Sequence, residues 1–234
     1  MRGINQLAQV RDLLKRKQSS RRAVIQLYSA EDISNEHADV PCTCTLQFMV
    51  RKSYLNLFVS MRSNDAYIGL PHDVFAFTMI QELLARELGV RLGRYKHAVG
   101  SLHLYDVNVD EARRYVDEGW QSTALMPPMP KGDPWRAIDI LKKVEADLRN
   151  GMKVDLFNLS IDNYWKDLAT MLAIYALTRG STPIGTLREV VRLKNSMASD
   201  FYDQYIRRRE KLLAKFNTPE QLVLIETPPG VRKS

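Results

Sequence analysis

Residues 42–50 and 54–60 are two strand-like segments separated only by the turn Arg51-Lys52-Ser53. Apolar, β-branched and aromatic side chains dominate both segments, as is typical of sheet strands. After a loop that contains Gly69 and Pro71, the apolar spacing predicts a helix from about 72 to 88. Gly89 suits the C-terminal cap of this helix. A further strand is predicted at about 97–105, so this region forms a sheet with a packed helix.

The rest of the chain divides into a short upstream part and a long helical part. Upstream, the sequence predicts an amphipathic helix over 4–17, a strand over 23–28 and a polar loop over 31–41. Downstream, it predicts helices at 109–119, 134–150, 161–179 and 184–216, with a Pro-rich connector at 126–134. The chain therefore reads as α+β, with a core over 1–108 and a helical region of unknown role over 109–234.

The last predicted helix has a typical start. Ser181 or Thr182 can cap it, and Pro183 fits its first turn. The tail from Pro219 is predicted to be irregular.

Composition limits the possible partners. The net charge is +7 with a pI near 9.4 over 234 residues, which fits either a phosphorylated ligand or a solubilising basic surface. The basic residues are dispersed with few aromatics among them, so nucleic-acid binding is not expected. No segment has the length and apolar character of a membrane span or signal peptide, and we expect a cytoplasmic protein.

The two cysteines, Cys42 and Cys44, do not indicate a disulfide or a metal site. Residues two apart on a strand rarely meet disulfide geometry. Two thiols with only four histidines make a weak case for zinc, and no metal is predicted.

Four short motifs carry polar or nucleophilic groups, and each is weak alone. Paired guanidinium groups suit phosphate, but surface arginines are common; a lone cysteine is more often a small buried side chain than a nucleophile. A loop with a cation, a hydroxyl and a glycine can bind an anion. The motifs are Arg21-Arg22, Pro41-Cys42, the loop Arg62-Ser63-Asn64-Asp65 leading to Gly69-Leu70-Pro71-His72-Asp73, and His103-Leu104-Tyr105.

In this order, over about residues 3 to 106, the motifs resemble the thymidylate synthase family. That family has an Arg-Arg pair before a strand, a Pro-Cys nucleophile roughly twenty residues later, an Arg-Ser-x-Asp loop, a Gly-Leu-Pro helix start and a His-x-Tyr. The segments Gly3-Ile4-Asn5-Gln6-Leu7 and Gln47-Phe48 add to the resemblance.

The resemblance implies a role for each motif. Cys42 would add as a thiolate to C6 of a pyrimidine, which activates C5, while Cys44 would be a core residue. Arg62 and Ser63 would hold the 5′-phosphate in the same subunit. In a homodimer, Arg21 and Arg22 would bind the phosphate held by the neighbouring subunit. Asp65 and Gly69 would belong to the base-binding loop, and His103 and Tyr105 would bind the sugar hydroxyl.

Asp73 stands where family members that act on uracil have asparagine. Cytosine presents an acceptor at N3 and an amine at C4, so a protonated Asp can pair with it, as can an ionised Asp with protonated cytosine. The same replacement marks the family's cytidylate hydroxymethylases. This favours CMP or dCMP over a uracil nucleotide. The alternative is that Asp73 only caps a helix beginning near His72.

Other departures leave the activity open. Thr43 and Met61 replace a histidine and a glutamine, and the family's N-terminal third and C-terminal segment are not recognisable. We expect a C5 hydroxymethylase or methylase that uses 5,10-methylenetetrahydrofolate. Its alternatives are a relative with other pyrimidine chemistry or a nucleotide-binding module without turnover. The retained thiol argues against the module, and the missing folate-side residues argue against an ordinary synthase.

Overall fold

The computed structural model describes residues 4–34, 39–120, 124–179 and 186–214 of the chain. It contains two compact units, one formed by residues 1–122 with 131–133 and the other by 123–130 with 134–234. The first contains a sheet and the second is helical, which confirms the α+β prediction. The division of roles between 1–108 and 109–234 stays a prediction.

The sheet unit has four strands in the order β1-β2-β3-β4. The first three strands pair antiparallel, whereas β3 and β4 are parallel and joined through the long helix α3. The bounds are α1 Gln6–Arg16, β1 Val24–Gln26, α2 Glu31–Ser34, β2 Thr43–Arg51, β3 Tyr54–Asp65, α3 Gly69–Glu87, β4 Arg91–His103 and α4 Val109–Asp117, with a 3₁₀ turn at Asp106–Asn108.

One face of the sheet is covered and the other is not. Helix α3 packs on β3 and β4, and α1 contacts β1. Because strand side chains alternate between faces, this arrangement buries Leu46, Phe48, Leu55, Leu57 and Val59. The opposite side chains stay half-buried or exposed among the described residues. We call this side the open face; it includes Thr45, Gln47, Met49, Asn56, Phe58, Ser60 and Lys96.

The predicted turn between β2 and β3 is confirmed and has an unusual backbone. Lys52 has φ 51° and Ser53 has φ 62°, so two consecutive non-glycine residues adopt left-handed conformations. A two-residue hairpin turn matches the twist of its strands in this geometry. Gly89, with φ 63°, follows α3 as predicted.

The sheet-unit elements differ from the predictions mainly at their ends. Helix α3 begins at Gly69 rather than near 72, because Pro71 is compatible with a first helical turn. Strand β4 begins at Arg91 rather than near 97. The described part of the polar stretch 31–41 contains the one-turn helix α2, and residues 35–38 lie outside the described residues.

The helical unit consists of α5 Trp135–Arg149, α6 Asn163–Thr178, α7 Leu187–Lys194 and α8 Asp203–Ala214. Their shared core includes Val144, Ala169, Ile174, Val190 and Ile206. Helices α5 and α6 match their predictions. Within the described ranges, no helix is both long and apolar enough to cross a membrane.

The single helix predicted over 184–216 is wrong. Between α7 and α8, the buried carboxylate of Asp167 accepts hydrogen bonds from the backbone N–H groups of Ala198 and Ser199 at 2.9 and 3.0 Å. This interaction stabilises a loop in place of a continuous helix.

The start of α7 is capped by Thr186 and Glu189, whose side chains and backbone N–H groups bond reciprocally. The predicted cap residues Ser181 and Thr182, with Pro183 and the tail from Pro219, lie outside the described residues.

Candidate active site

Cys42 is exposed and immediately precedes β2. Arg62, near the end of β3, lies across from it: the Arg62 backbone N–H donates to the Cys42 carbonyl oxygen at 2.9 Å. The Arg62 side chain donates from Nε to the Pro41 carbonyl and from Nη2 to the Val40 carbonyl, both at 3.0 Å. These bonds fix the backbone that carries the thiol. Within the described chain, Nη1 of Arg62 has no hydrogen-bond partner and can bind a ligand.

Ser63 and His103 meet at the edge where the parallel strands β3 and β4 end. Ser63 Oγ lies 3.3 Å from His103 Nδ1, and the His103 and Tyr105 rings form an edge-to-face pair with centroids 4.9 Å apart. The parallel register of β3 and β4 pairs Asp65 with His103, the last residue of each strand. Both strands therefore end at the same edge of the sheet. Arg62, Ser63, His103 and Tyr105 are therefore grouped at one edge.

Asp65 caps α3. Its carboxylate accepts hydrogen bonds from the backbone N–H groups of Tyr67 at 3.3 Å, Ile68 at 2.7 Å and Gly69 at 2.9 Å. These hydrogen bonds hold the pKa of Asp65 below its usual value, and the bond from the Gly69 N–H makes the largest contribution. A Cβ atom on Gly69 would lie 2.6 Å from Asn64 Oδ1, so the close approach of helix and strand requires glycine.

Asp73 does not cap the helix. Helix α3 begins at Gly69, so Asp73 lies in its second turn. At the start of the helix, the N–H groups of Ile68 and Gly69 are bound by Asp65. The alternative interpretation of Asp73 as a helix cap is therefore wrong. Among the described residues, no group donates a hydrogen bond to the half-buried Asp73 carboxylate, which leaves it available to a ligand.

Three polar residues near Asp73 form a hydrogen-bonded group that the sequence did not reveal; Asn64 is buried, and Tyr95 and His97 are half-buried. Tyr95 OH is 2.6 Å from His97 Nδ1, and His97 Nε2 is 3.2 Å from Asn64 Nδ2. Burial, and secondarily the Asp73 charge, raises the pKa of Tyr95 to about 12. Burial lowers the pKa of His97, and Asp73 opposes this shift. Burial therefore favours the neutral form of His97.

The orientation of the Asn64 side-chain amide determines which ring nitrogen of His97 carries the hydrogen. The Asn64 amide donates to Nε2, so Nδ1 carries the hydrogen and donates to the Tyr95 oxygen. The Tyr95 hydroxyl hydrogen is then free to point elsewhere. The only available signal was the spacing of Tyr95 and His97, which are two residues apart on one strand and share the face of His103.

Arg21 and Arg22 lie far from Cys42 in the same chain. Val24 pairs with Gln47 and Gln26 with Thr45, so the arginines lie beyond the Gln47 end of this pairing and Cys42 lies beyond the other end. At the usual rise per strand residue, roughly 20 Å separates them. Both arginines are exposed. The structure therefore brings Arg62, Ser63, Asp65, His103 and Tyr105 to the edge where β3 and β4 end, and it places the two arginines away from Cys42 of the same chain.

Cys44 is half-buried, so its prediction as a core residue is wrong. The register shifts between Thr43 and Thr45, and this bulge turns Cys44 out of the regular alternation of the strand. Its carbonyl accepts a hydrogen bond from the Leu27 N–H at 2.9 Å. The substituted positions Thr43 and Met61 are both buried. In the described ranges, no cluster of three His, Cys, Asp or Glu side chains suits a metal ion.

Comparison with known proteins agrees with this arrangement. The family model for thymidylate synthase matches residues 1–129, which is more than half of the chain. Thymidylate synthases of Listeria monocytogenes serotype 4a (strain HCC23) and Listeria innocua serovar 6a are each 32% identical over 113 residues, covering 48% of this chain and 36% of each relative.

The chain belongs to the thymidylate synthase family. It spans only about a third of the length of these relatives, 36%.

Proposed function

We propose that the chain binds a pyrimidine nucleoside monophosphate at the edge where β3 and β4 end, and that Cys42 activates its C5 position. One observation carries the proposal. Arg62 is hydrogen-bonded to the backbone directly before the exposed Cys42, and the next residue, Ser63, contacts His103. The Cys42 thiol, the free Nη1 group of Arg62 and the hydroxyl-binding groups of Ser63 and His103 thus lie within the span of one nucleotide.

The proposed reaction begins with the Cys42 thiolate. Its sulfur forms a bond to C6, the C5–C6 π electrons move toward C5 and the C4 substituent, and C5 becomes nucleophilic. C5 can then accept a proton from solvent and lose its original hydrogen as a proton, and reversal of the addition expels the thiolate. Arg62 and Ser63 would bind the phosphate, and His103 with Tyr105 the sugar hydroxyl.

We propose cytosine as the preferred base, as CMP or dCMP. The support is the Asp73 carboxylate, which neither caps α3 nor accepts a hydrogen bond from a described residue. When one proton is shared between carboxyl and N3, the pair satisfies both N3 and the C4 amine of cytosine. Uracil has a hydrogen on N3 and an oxygen on C4, so against an ionised Asp73 its C4 oxygen would face a carboxylate oxygen with no hydrogen between them.

5,10-Methylenetetrahydrofolate is the proposed one-carbon donor, giving hydroxymethylation or methylation at C5. Ile68 lies shortly after the end of β3, and Leu104 directly follows β4. Both side chains are apolar and exposed, and they would contact the pterin ring of the folate. The folate would supply the electrophilic carbon. The second candidate is other chemistry at the same activated C5 position; it is supported by the part of the chain after residue 129, which the family model does not match.

A homodimer with shared sites is also proposed. Arg21 and Arg22, roughly 20 Å from Cys42 along β2, cannot reach a nucleotide attached to that thiol. They can serve a site on a second copy. The open face supports this arrangement, since it presents Met49 and Phe58 among polar side chains.

The test is tritium release from 5-tritiated CMP, dCMP, UMP and dUMP, with and without methylenetetrahydrofolate. Release requires activation at C5, whatever group adds afterwards. We expect release from cytosine nucleotides, with faster release or a new product when folate is present. No release from any of the four nucleotides under either condition would refute the proposed activity.

A further inference from the structure

A strongly basic cavity lies on the sheet unit away from Cys42. It has a volume of about 650 Å³ and is lined by Leu13, Lys17, Ser19, Ser20, Arg21, Arg22 and Arg51. Four of these side chains are cationic and none is acidic. We call Lys17, Arg21, Arg22 and Arg51 the four-cation pocket.

The cations of this pocket are unpaired, unlike their neighbours on α1. Arg11 contacts Asp12 at 2.9 Å, and Lys15 contacts Glu87 at 2.6 Å. No member of the four-cation pocket forms an ion pair with a described carboxylate. Like charges that line one cavity repel each other, and this repulsion is relieved when an anion binds between them.

Local hydrogen bonds order the Arg51 side chain and the backbone at Arg22. Arg51 Nη1 donates to the Val50 carbonyl at 2.7 Å, which leaves its Nη2 and Nε free. The adjacent turn holds Lys52 and Ser53 at positive φ, a conformation that side chains usually avoid. The buried Ser20 accepts a hydrogen bond from the Arg22 backbone N–H at 3.2 Å. The pocket therefore has a defined backbone although its side chains reach solvent.

We propose that Arg51 and Lys17 join Arg21 and Arg22 in binding the dianionic phosphate monoester of a nucleotide held by the partner copy. This inference rests on the proposed function. Neither Arg51 nor Lys17 belongs to the motifs that identify the family in this sequence. Three guanidinium forks and an ammonium match a phosphate with two negative charges, since each fork can donate two parallel hydrogen bonds.

The experiment is calorimetric titration of the full chain at fixed ionic strength with CMP, cytidine and inorganic phosphate. Arg51→Gln keeps much of the side-chain stem but removes the charge, and Arg51→Lys keeps the charge but removes the fork. Lys52→Asn is the matched control, because it removes a neighbouring charge and asparagine tolerates positive φ.

We expect Arg51→Gln to weaken CMP and phosphate binding roughly tenfold, with cytidine unaffected. The affinity of Arg51→Lys for CMP should lie between those of wild type and Arg51→Gln. Lys17→Gln should also bind CMP more weakly than wild type, and Lys52→Asn should bind it as tightly as wild type. Equal CMP affinities of Arg51→Gln and Lys52→Asn would overturn the inference even when tritium release succeeds. Arg51-dependent phosphate binding without CMP binding or tritium release would instead overturn the nucleotide assignment and the proposed function together.

Discussion

Arg62 donates a hydrogen bond from Nε to the carbonyl oxygen of Pro41 at 3.0 Å, and so connects β3 to the residue before the thiol. Arg62→Lys keeps the positive charge but cannot reproduce the fork that also reaches Val40. We expect the rate of C5 tritium release to fall roughly tenfold or more at saturating nucleotide, because the thiol is less well positioned. Arg136→Lys, at an exposed position on α5, is the control. An unchanged rate in Arg62→Lys would show that these backbone contacts do not position Cys42.

Cys42→Ser should abolish tritium release and leave nucleotide binding, because a hydroxyl is a much weaker nucleophile than a thiolate at neutral pH. Cys44→Ser, two residues away, should retain activity. The measurement is single-turnover release combined with equilibrium binding of CMP. Normal turnover by Cys42→Ser would exclude the covalent mechanism.

Mixing two inactive chains should restore activity. One chain carries Arg21→Ala and Arg22→Ala, and the other carries Cys42→Ser. After dissociation and reassociation of equal amounts, half of the dimers are hybrids with one intact site, so about a quarter of wild-type activity is expected. A monodisperse monomer at assay concentration, or no recovery after verified subunit exchange, would contradict shared sites.

Asp73→Asn should change the choice of base. Each unpaired buried polar group costs roughly 1–3 kcal/mol, so wild type should prefer CMP over UMP by about ten- to a hundredfold. The substitution should weaken or reverse this preference while phosphate affinity is retained. Thermal stability should change little, because Asp65 rather than Asp73 caps α3. Titration with both nucleotides measures the ratio, and an identical ratio in the two proteins would remove the basis for the cytosine assignment.

Asp65→Ala should lower the thermal midpoint at neutral pH, since the N–H groups of Ile68 and Gly69 lose their acceptor. The pKa of Asp65 is lowered in the folded state. Its contribution is therefore fully present above the ordinary carboxyl pKa near 3.8 and is lost as the pH falls through the lowered value. The midpoint difference from wild type should shrink in acid. Asp110→Ala, on α4 in the same unit, is the control; an equal effect of both substitutions would argue against a specific cap.

Local patterns predicted the order of the main strands and helices of the sheet unit, but they failed where the structure depends on residues far apart in the chain. The strands on either side of Lys52 and Ser53 were predicted from their apolar, β-branched and aromatic side chains and from the short turn between them, which the sequence displays directly. The break between α7 and α8 depends on Asp167, about thirty residues earlier, whose carboxylate binds the Ala198 N–H. No helical periodicity reports such a contact.

The candidate site divides in the same way. The order of the motifs allowed Ser63 and His103 to be predicted as partners in one site, and their side chains lie 3.3 Å apart. The contact between Tyr95 and His97 was missed for two reasons. The strand that carries them begins earlier than predicted, and their partial burial depends on the packing of α3 against β4. The separation of Arg22 from Cys42 could only be measured once the register of β1 against β2 was known.

That register has a consequence for how activity would respond to the amount of protein. If a complete site needs Cys42 from one copy and the arginines from another, an isolated folded chain is inactive however well it binds part of the nucleotide. Specific activity would then fall on dilution below the dissociation constant of the pair, and it would recover on concentration. Saturating nucleotide would shift this midpoint to lower protein concentration, because a ligand that bridges two copies also holds them together.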